Sequence, residues 1–191
     1  MSTSSARIGL LRHGETTGTG FRGRGCDDPL TPEGECAMHA AFEASGGWDR
    51  VVCSPLQRCR RPAEGFARAA GLPVQCDLRL QELHFGDWEG QTAEALMRTD
   101  AEALGRFWED PFGHPPPNGE DLGRFRDRVL AGWEQSVTAP GDRVLVVTHG
   151  GVIRLLRAHL EGWPLEKLLS IEVPLASLHV VEPGRREGLP T

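Results

Sequence analysis

Short apolar runs alternate with longer amphipathic stretches along the chain, a pattern that predicts a mostly parallel sheet covered by helices. The first strand is expected at about Ala6 to Leu11. Thr31 followed by Pro32 reads as an N-cap and a first helical residue, and that helix ends near Gly46-Gly47. Arg50 to Cys53 is a second strand, and Ser54-Pro55 repeats the cap-then-proline pair to open a helix reaching about Ala70. A short strand follows around Pro73 to Cys76. From Thr92 to Val137 the periodicity is helical, broken by the proline- and glycine-rich segment Pro111 to Asn118. Asn118, with Asp121 three residues on, is the expected cap of the helix beyond the break. Arg143 to Val147 is the clearest strand, apolar after its first residue and therefore central, and Gly151 to Glu161 is its helix. A last strand is expected around Ser177 to Val181. The expected fold class is α/β: a three-layer sandwich, a mostly parallel central sheet with helices on both faces, and a small helical insertion over the site. Residues 1–191 read as one domain, with 1–5 and 183–191 as flexible tails.

Composition narrows the classes. The 191 residues suffice for one domain with a real core and not for two. The 21 basic residues against 27 acidic ones give a net charge of −6, the opposite of a nucleic-acid-binding footprint. Lys167 is the only lysine, so every other fixed cation is a guanidinium, suited to bidentate binding of phosphate or carboxylate. No apolar run approaches the roughly 20 residues of a membrane span, and no signal peptide is evident. Five cysteines, odd in number and without a C-x-x-C pair, support neither a disulfide framework nor structural zinc. A cytoplasmic, thiol-reduced protein is expected.

Two apolar strands end alike. Leu10-Leu11 runs into Arg12-His13-Gly14-Glu15-Thr16, and Val146-Val147 into Thr148-His149-Gly150-Gly151. Ligands of open parallel sheets bind beyond the carboxyl ends of the strands, so the two histidines are expected to face one crevice. Arg58 falls in the first turn of the helix after the second strand, where the free N–H groups and the dipole favour anions. Arg12, Arg58 and two imidazoles suit a dianion, most naturally a phosphoryl group. Arg60 and Arg61 read as solvated, and His39, His84, His114, His159 and His179 carry no expected chemistry. Neither H-E-x-x-H nor a clustered Asp pattern is present, so no metal site is expected.

Leu11-Arg12-His13-Gly14-Glu15-Thr16 resembles the signature of the histidine phosphatase, or phosphoglycerate mutase-like, superfamily. Ser54-Pro55-Leu56-Gln57-Arg58 resembles its second arginine motif, Gln81 to Gly90 (Gln-Glu-Leu-His-Phe-Gly-Asp-Trp-Glu-Gly) its acidic motif, and Thr148-His149-Gly150-Gly151 its second histidine motif. The resemblance implies a metal-independent phosphomonoesterase without cofactors. His13 would be the nucleophile, Arg12, Arg58 and His149 would hold the phosphoryl oxygens, and Glu82 would be the general acid and base. Gly14, Thr19, Arg22, Gly23 and Gly150 would contact substrate. Thr19 stands where many members have a phosphate-binding Asn, and the glycine-rich stretch 18–25 is expected to be mobile. Phe85 and Trp88 would desolvate Glu82 or, equally, serve in core packing.

Within the superfamily, Phe21-Arg22-Gly23 with Asp27 to Thr31, the Leu83 to Gly90 block and Pro116 to Glu120 look like the α-ribazole phosphatases of cobalamin biosynthesis. Phe21, Phe85, Trp88 and Trp108 would suit the flat base of such a substrate, and suit a core equally well. Alternatives are a broad small-molecule phosphatase or a mutase-like enzyme and, from another class, a non-catalytic phosphate-binding module. The implied partner is a small phosphomonoester, not nucleic acid or membrane, with a homodimer as an optional assembly.

Overall fold

The computed structural model describes residues 6–136 and 141–181, so the expected tails 1–5 and 183–191 lie outside the described residues. Strands β1 (Arg7–Arg12), β2 (Arg50–Cys53), β3 (Val74–Cys76), β4 (Arg143–Thr148) and β5 (Leu178–Val181) form one sheet in the order β3-β2-β4-β1-β5. All neighbouring pairs are parallel except β5, which runs antiparallel to β1. Among the described residues six α-helices accompany them: α1 (Pro32–Ser45), α2 (Gln57–Ala70), α3 (Ala93–Thr99), α4 (Ala101–Glu109), α5 (Leu122–Ser136) and α6 (Gly150–Glu161).

The three layers follow from the period-two alternation of β4. Val144 and Val146 enter a core shared with Phe125, Val129, Val152 and Leu156 of α5 and α6, while Leu145 and Val147 enter a second core with Met38, Phe42, Cys59 and Ala63 of α1 and α2. Trp88, Leu96, Leu104 and Phe107 extend the first core under α3 and α4, which are the expected helical insertion.

Several local expectations shift. Thr31 does cap α1, its Oγ1 accepting the Gly34 N–H at 2.9 Å. Ser54 does not cap α2: the helix begins at Gln57 with Leu56 as its flanking residue, and the Ser54 hydroxyl is engaged by a histidine instead. Asn118 does not cap α5 either. Its Nδ2 donates to Asp87 at 2.8 Å, and Asp121 Oδ1 accepts the Arg124 N–H at 3.0 Å. The helical stretch after Thr92 breaks once more at Asp100, whose φ of −151° is non-helical and whose carboxylate accepts the Trp88 Nε1–H at 3.1 Å.

Candidate active site

β1 and β4 are adjacent and in register, Arg12 opposite Thr148, so the residues just beyond them meet side by side. The His13 N–H donates to the Thr148 carbonyl at 3.0 Å, and the His13 and His149 rings lie 5.2 Å apart at 63°. The His13 Nδ1 sits 2.8 Å from the Gly14 carbonyl, which can only accept, so Nδ1 carries the proton and the Nε2 lone pair is free. Burial, the nearby Arg58 and, more weakly, Arg12 push the His13 pKa down to about 3, leaving a neutral imidazole at physiological pH.

His149 is completely buried and has the opposite tautomer. Its Nδ1 accepts from Arg58 Nε at 3.3 Å, a group that only donates, so Nε2 carries the proton and gives it to Ser54 Oγ at 2.8 Å. Burial first, then the Arg58 charge, hold this imidazole well below its usual range. Arg58 is also fully buried, and four of its five N–H donors are engaged: Nε by His149, Nη1 by the Cys26 carbonyl, Nη2 by the Arg22 and Gly23 carbonyls.

Glu82 comes from the loop after a short 3₁₀ turn at Leu78–Leu80. Its Oε2 accepts the Gly151 N–H of α6 at 2.9 Å and its Oε1 accepts the Leu83 N–H at 3.0 Å. A Cβ at Gly151 would collide with Glu82 Oε1, so glycine is required for this approach. Behind the loop, Arg128 of α5 uses all of its donors. It gives two hydrogen bonds to Glu120, two to the carbonyls of Arg79 and Gln81, and one to the carbonyl of Glu82 itself at 3.0 Å.

A cavity of about 810 Å³ opens onto these groups, lined at its polar end by Arg12, His13, Glu82, Gly150, Gly151 and Arg154. Among the described residues, two buried N–H groups, Arg12 Nε and Arg22 Nε, have no acceptor, and both arginines line this cavity. The buried charge near Glu82 is thus arranged to receive an anion. Phe21, Phe85, Phe107, Trp108 and Phe125 form an aromatic wall leading outward.

The structure brings Arg12, His13, Arg58, Glu82 and His149 together, with Arg58 and His149 beneath the cavity instead of on its surface. Thr19, Arg22 and Gly150 line the cavity. Gly14 and Gly23 do not line it. Gly14 is packed against the α1 backbone at Gly34 and serves His13 through its carbonyl. Gly23 is buried, with its N–H on Glu89 and its carbonyl on Arg58. Within stretch 18–25, the Arg22 and Gly23 carbonyls accept from Arg58, and the Gly23 and Gly25 N–H groups donate to Glu89. Trp88 does not border the site but sits in the core, so of the two aromatics expected beside Glu82 only Phe85 reaches the cavity. None of His39, His84, His114, His159 and His179 lines it. Sequence reasoning missed Ser54 and Arg128 as site-ordering residues, and Arg154 as a cavity cation.

No helix among the described residues is long and apolar enough to cross a membrane. The adenosylcobalamin/alpha-ribazole phosphatase of Escherichia coli (strain K12) is 35% identical over 176 residues, covering 87% of this chain and 85% of that protein. The glucosyl-3-phosphoglycerate phosphatase of Mycolicibacterium vanbaalenii is 35% identical over 175 residues, 84% of this chain and 76% of the relative. The crystal structure of the α-ribazole phosphatase from Shigella flexneri superposes with a TM-score of 0.76 at 28% identity, over 97% of this chain and 100% of that one. The sequence profile of the histidine phosphatase superfamily (branch 1) matches residues 8–189, and with the paired histidines at the ends of β1 and β4 it shows that this chain belongs to that family.

Proposed function

We propose that the protein is a phosphomonoesterase that forms a phosphohistidine on His13 and acts on α-ribazole phosphate. The observation that carries the chemistry is the neutral, buried His13, held by Nδ1 with Nε2 free, beside an arginine N–H that lacks an acceptor. Nε2 attacks phosphorus and the P–O bond to the leaving group breaks. Arg12 binds a phosphoryl oxygen through Nε, and the buried charge of Arg58 with His149 beside it stabilises the charge that develops in the transition state. Glu82 protonates the leaving alkoxide. As carboxylate it then takes a proton from the water that attacks phosphorus, the P–N bond breaks, and neutral His13 is restored. Thr19 and Gly150, at the cavity lining, take part in seating the substrate. No step needs a metal ion, and a cytoplasmic location fits the five free cysteines.

The substrate assignment is supported by the relatives named above and by the aromatic wall, which suits a planar base. A second reading is favoured by Arg154, which among the described residues uses only Nε, on the Ile171 carbonyl. Its remaining donors suit a second anionic group, as in a phosphorylated carboxylic acid. Phosphate release from α-ribazole phosphate, p-nitrophenyl phosphate and 3-phosphoglycerate, measured in EDTA with His13→Ala alongside, separates the readings. Release that depends on His13 and has by far the highest kcat/KM on the riboside is expected. Preference for phosphoglycerate would move the assignment to the second reading, and turnover by His13→Ala near wild type would remove the nucleophile.

A further inference from the structure

Cys53 and Cys76 are register partners at the carboxyl ends of β2 and β3, and their Sγ atoms lie 3.4 Å apart. Neighbouring strands are spaced by about 4.8 Å, inside the Cα separation of about 4.4–6.8 Å that a disulfide needs. Bonding at about 2.05 Å requires the two sulfurs to close by only about 1.3 Å. The movable partner is β3, an exposed edge strand of three residues.

The two thiols differ in a way that orders the chemistry. Cys76 is exposed and Cys53 is buried. Burial, reinforced by Cys76, pushes the Cys53 thiol up and keeps it protonated, so an oxidant meets Cys76 first. Cys59 is excluded from this pair by its own environment, with Sγ on the Thr148 carbonyl at 3.4 Å and close to His149.

Cys53 also touches the catalytic centre through the chain. The next residue, Ser54, has its N–H on the Val147 carbonyl at 3.0 Å and its Oγ on His149 Nε2 at 2.8 Å. The Cys53 carbonyl accepts the Asp77 N–H at 2.9 Å, so movement at β3 is passed to β2 by backbone as well as by sulfur.

We propose that Cys53 and Cys76 form a reversible dithiol–disulfide couple that a hydroperoxide oxidises and that lowers turnover by displacing Ser54 from His149. The Cys76 sulfur attacks the peroxide, the O–O bond breaks, and the departing alkoxide takes the thiol proton, leaving a sulfenic acid. The Cys53 sulfur then attacks that sulfur, forming the S–S bond, and the hydroxyl leaves as water with the Cys53 proton. Overall two thiols lose two electrons and two protons, and the hydroperoxide is reduced to an alcohol and water.

The test treats the full chain with hydrogen peroxide, alkylates the remaining thiols, and follows both mass and p-nitrophenyl phosphate turnover. A cross-link between the peptides carrying Cys53 and Cys76, with two hydrogens lost, should accompany a fall in kcat of about tenfold that dithiothreitol reverses. Cys76→Ser should keep full turnover before and after peroxide, which separates this pair from oxidation at Cys26 or Cys36. Absence of the cross-link, unchanged kcat in the cross-linked protein, or equal inhibition of Cys76→Ser would each overturn the proposal.

Discussion

At the scale of single residues, the assignment of proton positions rests on which neighbours can only accept and which can only donate. The Gly14 carbonyl fixes one histidine tautomer and the Arg58 guanidinium fixes the other, so two imidazoles 5.2 Å apart hold their protons on different nitrogens. Glu82 stands apart from them, with both oxygens on backbone N–H groups. Glu82→Gln keeps one of those contacts, turns its amide N–H₂ towards the other backbone N–H, and removes the transferable proton. It should cost about 10²-fold or more in kcat with an alkyl phosphate and far less with p-nitrophenyl phosphate, whose leaving group needs little protonation. Equal losses on both esters would deny Glu82 its role. Arg12, His13, Arg58 and His149 were legible as charged or titratable side chains at predicted strand ends and a helix start, whereas Glu82 was legible only through the resemblance of Gln81 to Gly90 to an acidic motif. Ser54 was not legible, because a serine before proline has the same local pattern whether its hydroxyl caps a helix or turns to a histidine distant in sequence. The surroundings of Gly14 and Gly23 were hidden for a related reason. Glycine in a motif marks close backbone approach, and the sequence does not say whether the approaching group is substrate or protein.

At the scale of elements, β1 and β4 supply the histidines and α6 supplies one N–H to Glu82, but Arg128 on α5 decides where the Glu82 loop lies. Its contacts with three successive points on that loop and with Glu120 form a buried, fully satisfied network. Arg128→Lys keeps the charge and loses the fork, leaving at least two of the five acceptor contacts without a donor. Its expected signature is that of Glu82→Gln in weaker form: kcat on alkyl phosphates falls by about tenfold or more, while KM and p-nitrophenyl phosphate turnover change little. A purely structural role would lower the melting temperature and reduce turnover of both esters alike. The strand order around β1 and β4 could be anticipated from apolar runs, because buried parallel strands lack polar interruptions. The antiparallel sense of β5 and the break between α3 and α4 could not. One depends on which edge of β1 is open, and the other on a hydrogen bond from Trp88 to Asp100.

At the scale of the whole molecule, the site couples catalysis to stability through two histidines kept neutral in the folded state. For His13 the folded pKa of about 3 lies below the unfolded value near 6.5, so the unfolded chain binds the extra proton between these limits. Stability is therefore fully present above pH 6.5 and is lost as pH falls towards 3; His149 shifts in the same direction and adds to the loss. His13→Asn separates the contribution, since its amide can replace the Nδ1–H bond to Gly14 without titrating. Relative to its own value at pH 7.5, wild type should lose about 2 kcal/mol more than His13→Asn by pH 5, read from urea unfolding without phosphate. Glu120, whose pKa is lowered by its hydrogen bonds to Arg128, loses its contribution on protonation at more acidic pH, and it does so equally in both proteins. Parallel stability curves for the two proteins would mean that His13 titrates in the fold as it does in the unfolded chain and becomes protonated on the way to pH 5. A protonated His13 has no lone pair for phosphorus, so the same measurement bears on the nucleophile without any substrate present.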